Sequence, residues 1–149
     1  MLREIIIRPM RIDDLDRVYK LEMKLFLNPW PKSFFKNDIR SQDAIAFVVE
    51  YQGSIIGYSL SSFVNAGFHI TNIAIDKEYQ RQGIASTLMQ KLENIATENS
   101  CHYIYLEVRT NNTAAIDLYK SLGYDILFKR RYYYIDGDDA YVMDKELDF

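Results

Sequence analysis

The segment from residue 72 to residue 88 runs from an apolar, strand-like stretch through a polar turn into a helical pattern. The turn reads Gln80-Arg81-Gln82-Gly83-Ile84-Ala85. The first N–H groups of a helix lack partners within the helix and carry partial positive charge, so they bind phosphate readily. Gly83 removes a side chain that would block close approach, Ala85 keeps the next contact small, and Arg81 adds positive charge. The segment therefore predicts an anion site at the start of a helix.

Ser86 and Thr87 follow the turn and offer hydroxyl donors to the same anion. An ordinary helix that begins after a glycine would show the same pattern, so the turn alone leaves that interpretation open. A single glycine does not make the three-glycine dinucleotide-binding pattern, and the sequence contains no Gly-Lys-Ser or Gly-Lys-Thr of a P-loop. The turn by itself indicates an anion site without naming the ligand.

The elements that must position this turn follow from hydrophobic periodicity and from turn residues. Strands are predicted at 4–8, 44–51, 54–64, 68–75, 103–108, 124–134 and 140–147, and helices at 15–26, 33–40, 84–99 and 111–122. Three successive antiparallel strands followed by strand–helix–strand units predict a mixed, mostly antiparallel sheet with helices on both faces. We expect a single α/β domain over residues 1–149.

Composition narrows the class of protein. Hydrophobic residues make up 48% of the 149 residues, enough for one core, and the net charge of -3 with mixed signs argues against nucleic acid as the ligand. Cys101 is the only cysteine, and we interpret it as a small buried apolar residue. No apolar run approaches the ~20 residues of a membrane span, and Met1–Glu4 does not open a signal peptide. We expect a cytoplasmic protein with no membrane partner.

Further motifs combine with the turn. Gln80-x-x-Gly83-x-Ala85 after a strand is similar to the Gln/Arg-x-x-Gly-x-Gly/Ala signature of the GNAT (Gcn5-related N-acetyltransferase) superfamily. The second half of the chain resembles the RimI group, which comprises N-terminal protein acetyltransferases of bacterial ribosomal proteins with archaeal and eukaryotic relatives. The residues that carry this resemblance are Leu106-Glu107-Val108-Arg109, Asn112, Ala114-Ala115-Ile116, Leu118-Tyr119, Leu122-Gly123-Tyr124 and Arg130-Arg131-Tyr132-Tyr133. With the element order, the resemblance covers essentially the whole chain and implies a GNAT fold, splayed between the fourth and fifth strands.

The resemblance implies acetyl-CoA as the cofactor, coenzyme A as its product, and no metal. The pantetheine arm would lie in the splay, and a backbone N–H there would polarise the thioester carbonyl. The implied contacts to the acetyl and pantetheine portion are Ile73, Ala74, Ile75 and Asn112. The implied contacts to the diphosphate are Arg81, Gln82, Gly83, Ile84, Ala85, Ser86 and Thr87. Core packing is an alternative role for Ile73 and Ile75, and in this fold both roles can hold together.

The resemblance also implies catalytic groups. Glu107, in the match at Leu106-Glu107-Val108-Arg109, is the best candidate for the base, acting directly or through water. A carboxylate inside an apolar strand is costly unless it faces a polar cleft, and an exposed or ion-paired residue, with Arg109 on the same face, is the alternative. His69 is the rival base, since histidine titrates nearer neutral pH than a carboxylate does, and a half-buried structural histidine is its alternative. Tyr119 would protonate the leaving thiolate or simply pack against the cofactor.

Two segments are expected to wall the entry of the substrate. The first comprises Phe26, Asn28, Pro29 and Trp30 of a helix–helix loop, and the second comprises Tyr132 and Tyr133 of an aromatic hairpin. If the hairpin is a regular strand, Tyr132 and Tyr134 share one face and Tyr133 lies on the other. Relatives that acetylate Ser or Ala termini often carry a glutamate in the first loop, where this chain has Leu27-Asn28-Pro29-Trp30. This departure favours apolar first residues, as in Met-Leu, or a broad range.

Together with the resemblance, these features predict a protein N-terminal acetyltransferase. The substrate amine would attack acetyl-CoA directly in a ternary complex, and Glu107 would also contact the substrate. Ribosomal proteins or nascent chains are its expected substrates, and a monomer or weak dimer its expected state. An acetyltransferase for a small amine or a lysine side chain is the second hypothesis, although a lysine amine of pKa ~10.4 needs a stronger base than an α-amine of pKa ~8 does. A non-catalytic acyl-CoA-binding protein is the third, and the presence of both Glu107 and Tyr119 weighs against it.

Overall fold

The computed structural model describes residues 4–148. Its elements follow the predicted order of strand, helix, helix, three strands, helix, strand, helix and two strands. The strands are β1 (Ile6–Pro9), β2 (Ala44–Tyr51), β3 (Ser54–Val64), β4 (Gly67–Ile75), β5 (Tyr103–Arg109), β6 (Asp125–Arg130) and β7 (Ala140–Glu146). The helices are α1 (Leu15–Leu25), α2 (Lys32–Arg40), α3 (Ile84–Glu98) and α4 (Thr113–Ser121), with short 3-10 turns at Ile12–Asp14 and Lys77–Tyr79.

One seven-stranded sheet has the order β1-β2-β3-β4-β5-β7-β6. β1 pairs antiparallel with β2 and β2 with β3, while β5 and β6 both pair antiparallel with β7. β4 and β5 are parallel and are joined through α3, since parallel neighbours need a crossover connection. The predicted mixed, mostly antiparallel α/β fold is confirmed.

The parallel ladder between β4 and β5 is short. It runs from Gly67 opposite Tyr103 to Ile70 opposite Leu106. Gly67 is needed at its start, because a Cβ there would lie 2.6 Å from the ring of Tyr103. Both strands continue beyond the ladder, and β5 pairs there with β7. The expected splay of β4 and β5 beyond this ladder stays a prediction.

The described chain divides into two compact units. The first unit comprises the residues up to Ser62 together with Thr71–Lys91, and the second comprises Phe63–Ile70 and the residues from Leu92 onward. In the first unit, residues at helical spacing on α1 meet residues from α2 and the sheet in one apolar core. Its buried members are Met10, Leu15, Val18, Leu21, Phe35, Val48, Tyr58, Leu60 and Ala74. The prediction of one domain over residues 1–149 stays a prediction.

In the second unit, β5 shows the strict alternation of a strand with one buried face. Ile104, Leu106 and Val108 are buried, whereas the residues between them are half-buried. Glu107 and Arg109 therefore lie on the more open face of β5, away from the core side chains.

The predicted strand from 124 to 134 is wrong beyond Arg130, where β6 ends. Residues 131–139 form an irregular segment, and Tyr132 has φ +53°, in the left-handed region. A strand cannot continue through such a residue. The predicted alternation, with Tyr132 and Tyr134 on one face, therefore does not apply.

Other boundaries shift by a few residues, as helix ends commonly do. α4 begins at Thr113, and Asn112 is its N-cap residue, whose Oδ1 accepts the N–H of Ala115 at 3.2 Å. β1 extends through Pro9, which an edge strand tolerates. Within residues 4–148, no helix is both long and apolar enough to span a membrane.

Candidate active site

The predicted anion-binding turn lies in the first unit, directly before α3. Arg81 and Gly83 both have φ in the left-handed region, at +63° and +81°. A glycine adopts this conformation freely, whereas a side chain opposes it. The Gln80 side chain donates from Nε2 to the carbonyl of Ile75, the last residue of β4, at 2.9 Å. The glutamine of the motif thus ties the turn to the end of the strand and shapes the loop.

The start of α3 offers converging amide groups. The first intrahelical acceptor in use is the carbonyl of Gly83, which accepts the N–H of Thr87 at 3.1 Å and its hydroxyl at 2.9 Å. The N–H groups of Ile84 to Ser86 belong to the first turn, where a helix provides no acceptor of its own. With Arg81 nearby, these groups fit the diphosphate of acetyl-CoA, which needs several N–H donors and positive charge.

Thr87 was predicted to contact the diphosphate, and here both of its donors are bonded within α3. The other predicted diphosphate contacts are Arg81, Gln82, Gly83, Ile84, Ala85 and Ser86, and of these Gln82 donates its side-chain Nε2 to the carbonyl of Glu78 at 3.4 Å. Their assignment to the cofactor remains a prediction.

The predicted acetyl and pantetheine contacts come from the end of β4. Ala74 belongs to the core of the first unit and Ile75 is buried, whereas Ile73 is half-buried. Gly57 of β3 lies close against them, because a Cβ there would come within 2.8 Å of the carbonyl of Ala74. The side chains of Ala74 and Ile75 therefore pack in the protein, and a cofactor would meet the backbone here.

A buried carboxylate that was not among the predicted site residues fixes the loop between α1 and α2. Glu22 is 1% exposed, and its Oε2 accepts the backbone N–H of Trp30 at 2.9 Å. Its Oε1 accepts the side-chain amide of Asn72 at 3.0 Å and the hydroxyl of Tyr58. The signal was present in the sequence, because Glu22 follows Val18 by four residues on the apolar face of α1.

The rest of that loop is open. Phe26 and Asn28 are exposed, Leu27 is 88% exposed, and Pro29 and Trp30 are half-buried. The loop thus presents apolar side chains while Glu22 holds its backbone. A loop of this kind suits the predicted role in substrate binding, which remains a prediction.

The two candidate bases meet in the second unit. His69 Nε2 lies 2.8 Å from Oε1 and 2.9 Å from Oε2 of Glu107. His69 lies opposite Tyr105 in the parallel ladder, and their rings stack at 4.3 Å. Glu107 is two residues beyond Tyr105 and shares its face, so its carboxylate reaches the edge of the imidazole. The side chains of His69 and Glu107 are 19% and 10% exposed.

A tyrosine completes this pair. The hydroxyl of Tyr133 donates to Oε1 of Glu107 at 2.8 Å. Burial alone would raise the pKa of Glu107, but the hydrogen bond and charge of His69, the hydrogen bond from Tyr133 and the charge of Arg130 together hold it below its usual range. Burial and the bond to Glu107 raise the pKa of Tyr133 above its usual range. Glu107 is therefore an ionised acceptor at neutral pH, and Tyr133 keeps its proton.

Arg109 forms its ion pairs with other carboxylates, so the alternative in which it pairs with Glu107 is wrong. Its Nη1 bonds to Asp136 at 3.0 and 3.1 Å and to Asp138 at 2.9 Å. Tyr132, the other tyrosine predicted to contact the substrate, is 80% exposed and lies beside Tyr133 in the same segment.

Tyr119 and Asn112 lie at opposite ends of α4. Tyr119 is buried, and that burial raises its pKa to about 12. A phenol so reluctant to ionise donates a hydrogen bond more readily than it gives up its proton. Asn112 is exposed and uses its side-chain oxygen as the cap of α4, so its amide group is the part suited to a pantetheine carbonyl.

Cys101 is buried, as predicted, and burial raises the pKa of its thiol. It is therefore a poor nucleophile. Among residues 4–148, no group of three His, Cys, Asp or Glu side chains is arranged to hold a metal ion.

Comparisons with known proteins agree with this geometry. The model of the acetyltransferase (GNAT) family matches residues 15–124. An N-alpha-acetyltransferase from Sulfurisphaera tokodaii is 33% identical over an alignment of 155 positions, which covers 95% of this chain and 92% of the relative.

Solved structures show the same fold. The ribosomal-protein-S18-alanine N-acetyltransferase from Escherichia coli superposes with a TM-score of 0.88 at 30% identity, covering 98% of this chain and 96% of that one. Ard1 from Thermoplasma volcanium gives a TM-score of 0.90 at 26% identity, covering 97% and 99%. The chain therefore belongs to the acetyltransferase (GNAT) family and is an N-acetyltransferase that depends on acetyl-CoA.

Proposed function

We propose that this enzyme acetylates the free α-amino group of protein N-termini by direct attack in a ternary complex. The names of its relatives support this substrate class, because they include an N-alpha-acetyltransferase and a ribosomal-protein-S18-alanine N-acetyltransferase. The observation that carries the mechanism is the contact of His69 Nε2 with both carboxylate oxygens of Glu107.

An α-ammonium group has a pKa near ~8 and must lose a proton before it can attack. Glu107 is a weak base for that purpose, because its own pKa lies below its usual range. As an acceptor, however, it fixes the Nε2–H tautomer of His69 and stabilises the imidazolium that forms when Nδ1 takes a proton. We therefore assign proton removal to His69 and its orientation to Glu107, so that the two rivals act as one pair.

When bound, acetyl-CoA would supply the activated acetyl group. The first-turn amides of α3 and Arg81 would hold its diphosphate. Tyr119 would donate a hydrogen bond to the cofactor sulfur. With its pKa raised to about 12, its phenol lies roughly 3–4 units above an ordinary thiol, so complete proton transfer from it is uphill. Tyr119 thus stabilises negative charge without becoming a tyrosinate.

The same pair of residues is less suited to a lysine side chain. Its pKa of ~10.4 leaves a far smaller neutral fraction at physiological pH than an α-amine has, by roughly two orders of magnitude. A lysine substrate would therefore need a stronger base or more desolvation than an α-amine needs. Acetylation of lysine or of a small amine is therefore the second candidate.

An acceptor panel tests this proposal through the release of coenzyme A. The panel contains peptides with a free N-terminus, the same peptides with a blocked N-terminus and an internal lysine, polyamines, and no acceptor. We expect turnover with the free N-termini alone. Equal rates with the blocked peptides, or turnover with polyamines only, would refute the proposal in favour of the second candidate, and tight coenzyme A binding without any turnover would indicate a non-catalytic protein.

His69→Gln tests the base directly. We expect kcat to fall by roughly 100-fold, within the range of general-base catalysis, while acetyl-CoA binding is unchanged. His102 is exposed and is the other histidine of the chain, so His102→Gln is the matched control. Equal activity of the two variants would remove His69 from the mechanism.

A further inference from the structure

The segment of residues 131–139, which we call the β6–β7 segment, touches the catalytic pair through one hydrogen bond. Tyr133 donates that bond to Glu107 at 2.8 Å. The segment has no regular secondary structure to hold it there, and Tyr132 beside it has φ +53°, a conformation that opposes a side chain. Some other contact must therefore keep Tyr133 in place.

Arg109 provides the first anchor. Its guanidinium bonds to the carboxylates of Asp136 and Asp138, and its Cζ lies 4.0 Å from the centre of the Tyr134 ring. A planar guanidinium can bind carboxylates and stack on an aromatic ring at the same time. Arg109 is two residues from Glu107 on the same face of β5, so the anchor and the carboxylate that receives Tyr133 share one rigid strand.

Asp139 provides the second anchor. Its carboxylate accepts the N–H of Tyr132 at 3.0 Å, and its carbonyl accepts the N–H of Thr110 at 3.2 Å. Within the segment, Tyr134 N–H bonds to the carbonyl of Asp138 at 3.1 Å and closes the turn. Residues 134 to 139 are thus attached to Arg109 and Thr110 at the end of β5, and the bond from Tyr132 to Asp139 holds the residue next to Tyr133.

We propose that Arg109 is a positioning residue, which holds the β6–β7 segment closed so that Tyr133 stays bonded to Glu107, and that it affects acetyl transfer through Tyr133. This inference rests on the proposed function, because the bond matters for the pair that activates the amine. The segment contains three aspartates at 136, 138 and 139, which repel one another once Arg109 is removed. Without Arg109 the segment should open.

Hydrogen exchange tests the closed segment without any substrate. We expect the amides of Tyr134 and Gly137 to exchange roughly tenfold faster or more in Arg109→Gln, because both lie inside the anchored turn. The double variant Asp136→Asn with Asp138→Asn removes the same ion pairs without leaving the repulsion among aspartates, so we expect faster exchange than in wild type but slower exchange than in Arg109→Gln. Lys129→Gln, which removes a positive charge from neighbouring β6, is the control. Unchanged exchange in Arg109→Gln would overturn the proposal, whether or not any peptide is acetylated.

A double-mutant cycle tests the route through Tyr133. We expect Arg109→Gln and Tyr133→Phe each to lower kcat/KM for the peptide roughly tenfold, with KM for acetyl-CoA unchanged. The combined variant should lie within about twofold of Tyr133→Phe alone, because the residues act in series. Arg109→Lys should have a kcat/KM between those of wild type and Arg109→Gln, since lysine keeps the charge and lacks the planar guanidinium. Multiplied losses in the combined variant would overturn the proposal, and a wild-type enzyme that acetylates no peptide would refute the proposed function while leaving the exchange result to decide the segment.

Discussion

At the scale of single residues, Glu107 and His69 were rivals for one role, and the structure joins them in one contact. Each alone has a weakness as a base. The carboxylate is held ionised and weakly basic by its neighbours, and an imidazole without a partner has no fixed tautomer. In the proposed mechanism the two act together, with Glu107 orienting the imidazole that takes the proton.

Glu107→Gln should lower kcat by roughly 10–100-fold and leave the affinity for acetyl-CoA nearly unchanged. Glutamine has the same shape, but its amide group is a donor where His69 or Tyr133 also donates. Steady-state kinetics between about pH 6 and 9, with coenzyme A binding measured by calorimetry, checks this. Activity equal to wild type across that range would leave the base role with His69 alone or with water.

Glu22→Gln should loosen the loop between α1 and α2 and lower the free energy of unfolding by about 1–3 kcal/mol, the cost of an unsatisfied buried donor. Three donors converge on its two oxygens, and one of them would face an amide group instead. Trp30 is the only tryptophan of the chain, so acrylamide quenching of its fluorescence reports on this loop. We expect stronger quenching in Glu22→Gln, with exposed Glu98→Gln as the control; identical quenching in both would contradict the anchoring role.

At the scale of elements, the turn before α3 owes its shape to two features. Gln80 ties it to the end of β4, and Arg81 and Gly83 turn the chain through the left-handed region. The amides of the first helical turn then point away from the helix with no acceptor of their own. Gly83 adopts a φ that a side chain opposes, which favours glycine at this position.

Gly83→Val should weaken coenzyme A binding by about tenfold or more, because a β-branched residue resists a positive φ and would crowd the diphosphate. Gly53→Ala is the matched control, since Gly53 has a similar φ of +79° and a Cβ there meets nothing within 4 Å. Both variants should lose some stability, and Gly83→Val alone should lose affinity. Unchanged affinity in Gly83→Val would show that the diphosphate does not lie on this turn.

At the scale of the whole molecule, the carboxylates determine how the folded state responds to acid. A carboxylate whose pKa is lowered in the folded state contributes stability that is lost as pH falls, and one whose pKa is raised contributes stability that is lost as pH rises. The pKa is lowered for the carboxyl groups of Asp14, Glu50, Glu107 and Asp136. It is raised for those of Asp38 and Asp144. The balance predicts a loss of stability on acidification.

Asp14 should dominate the acid response. The hydrogen bond from Arg8 lowers its pKa to about 2 from 3.8, against the opposing effect of burial. That difference corresponds to about 2 kcal/mol, present above pH ~4 and lost between pH ~4 and ~2. Urea unfolding from pH 5 to pH 2 should show that Asp14→Asn is less stable than wild type at pH 5 and converges with it at pH 2. A difference in free energy of unfolding between Asp14→Asn and wild type that stays constant from pH 5 to pH 2 would contradict this assignment. An equal loss of stability in Asp13→Asn, at an exposed residue, would contradict it as well.

The sequence alone determined the features that depend on neighbours along the chain. The element order and the strand–turn–helix around Gly83 follow from hydrophobic period and turn residues, and the structure confirms them. The strand predicted through Tyr134 was wrong. Tyrosine favours strands, so the run of tyrosines matched a strand pattern, but Tyr132 has φ +53° in the structure, outside the strand region.

Only the tertiary structure decided which distant residues meet. His69 and Glu107 are 38 residues apart, and they touch because the parallel ladder puts Tyr105 opposite His69 and Glu107 on the same face. Arg109 could have neutralised Glu107, and the chain instead folds two aspartates onto it. Such pairings depend on strand register and on loop closure, which no local periodicity encodes. The residue types therefore indicated the candidate chemistry, and the fold decided which of those residues lie in contact.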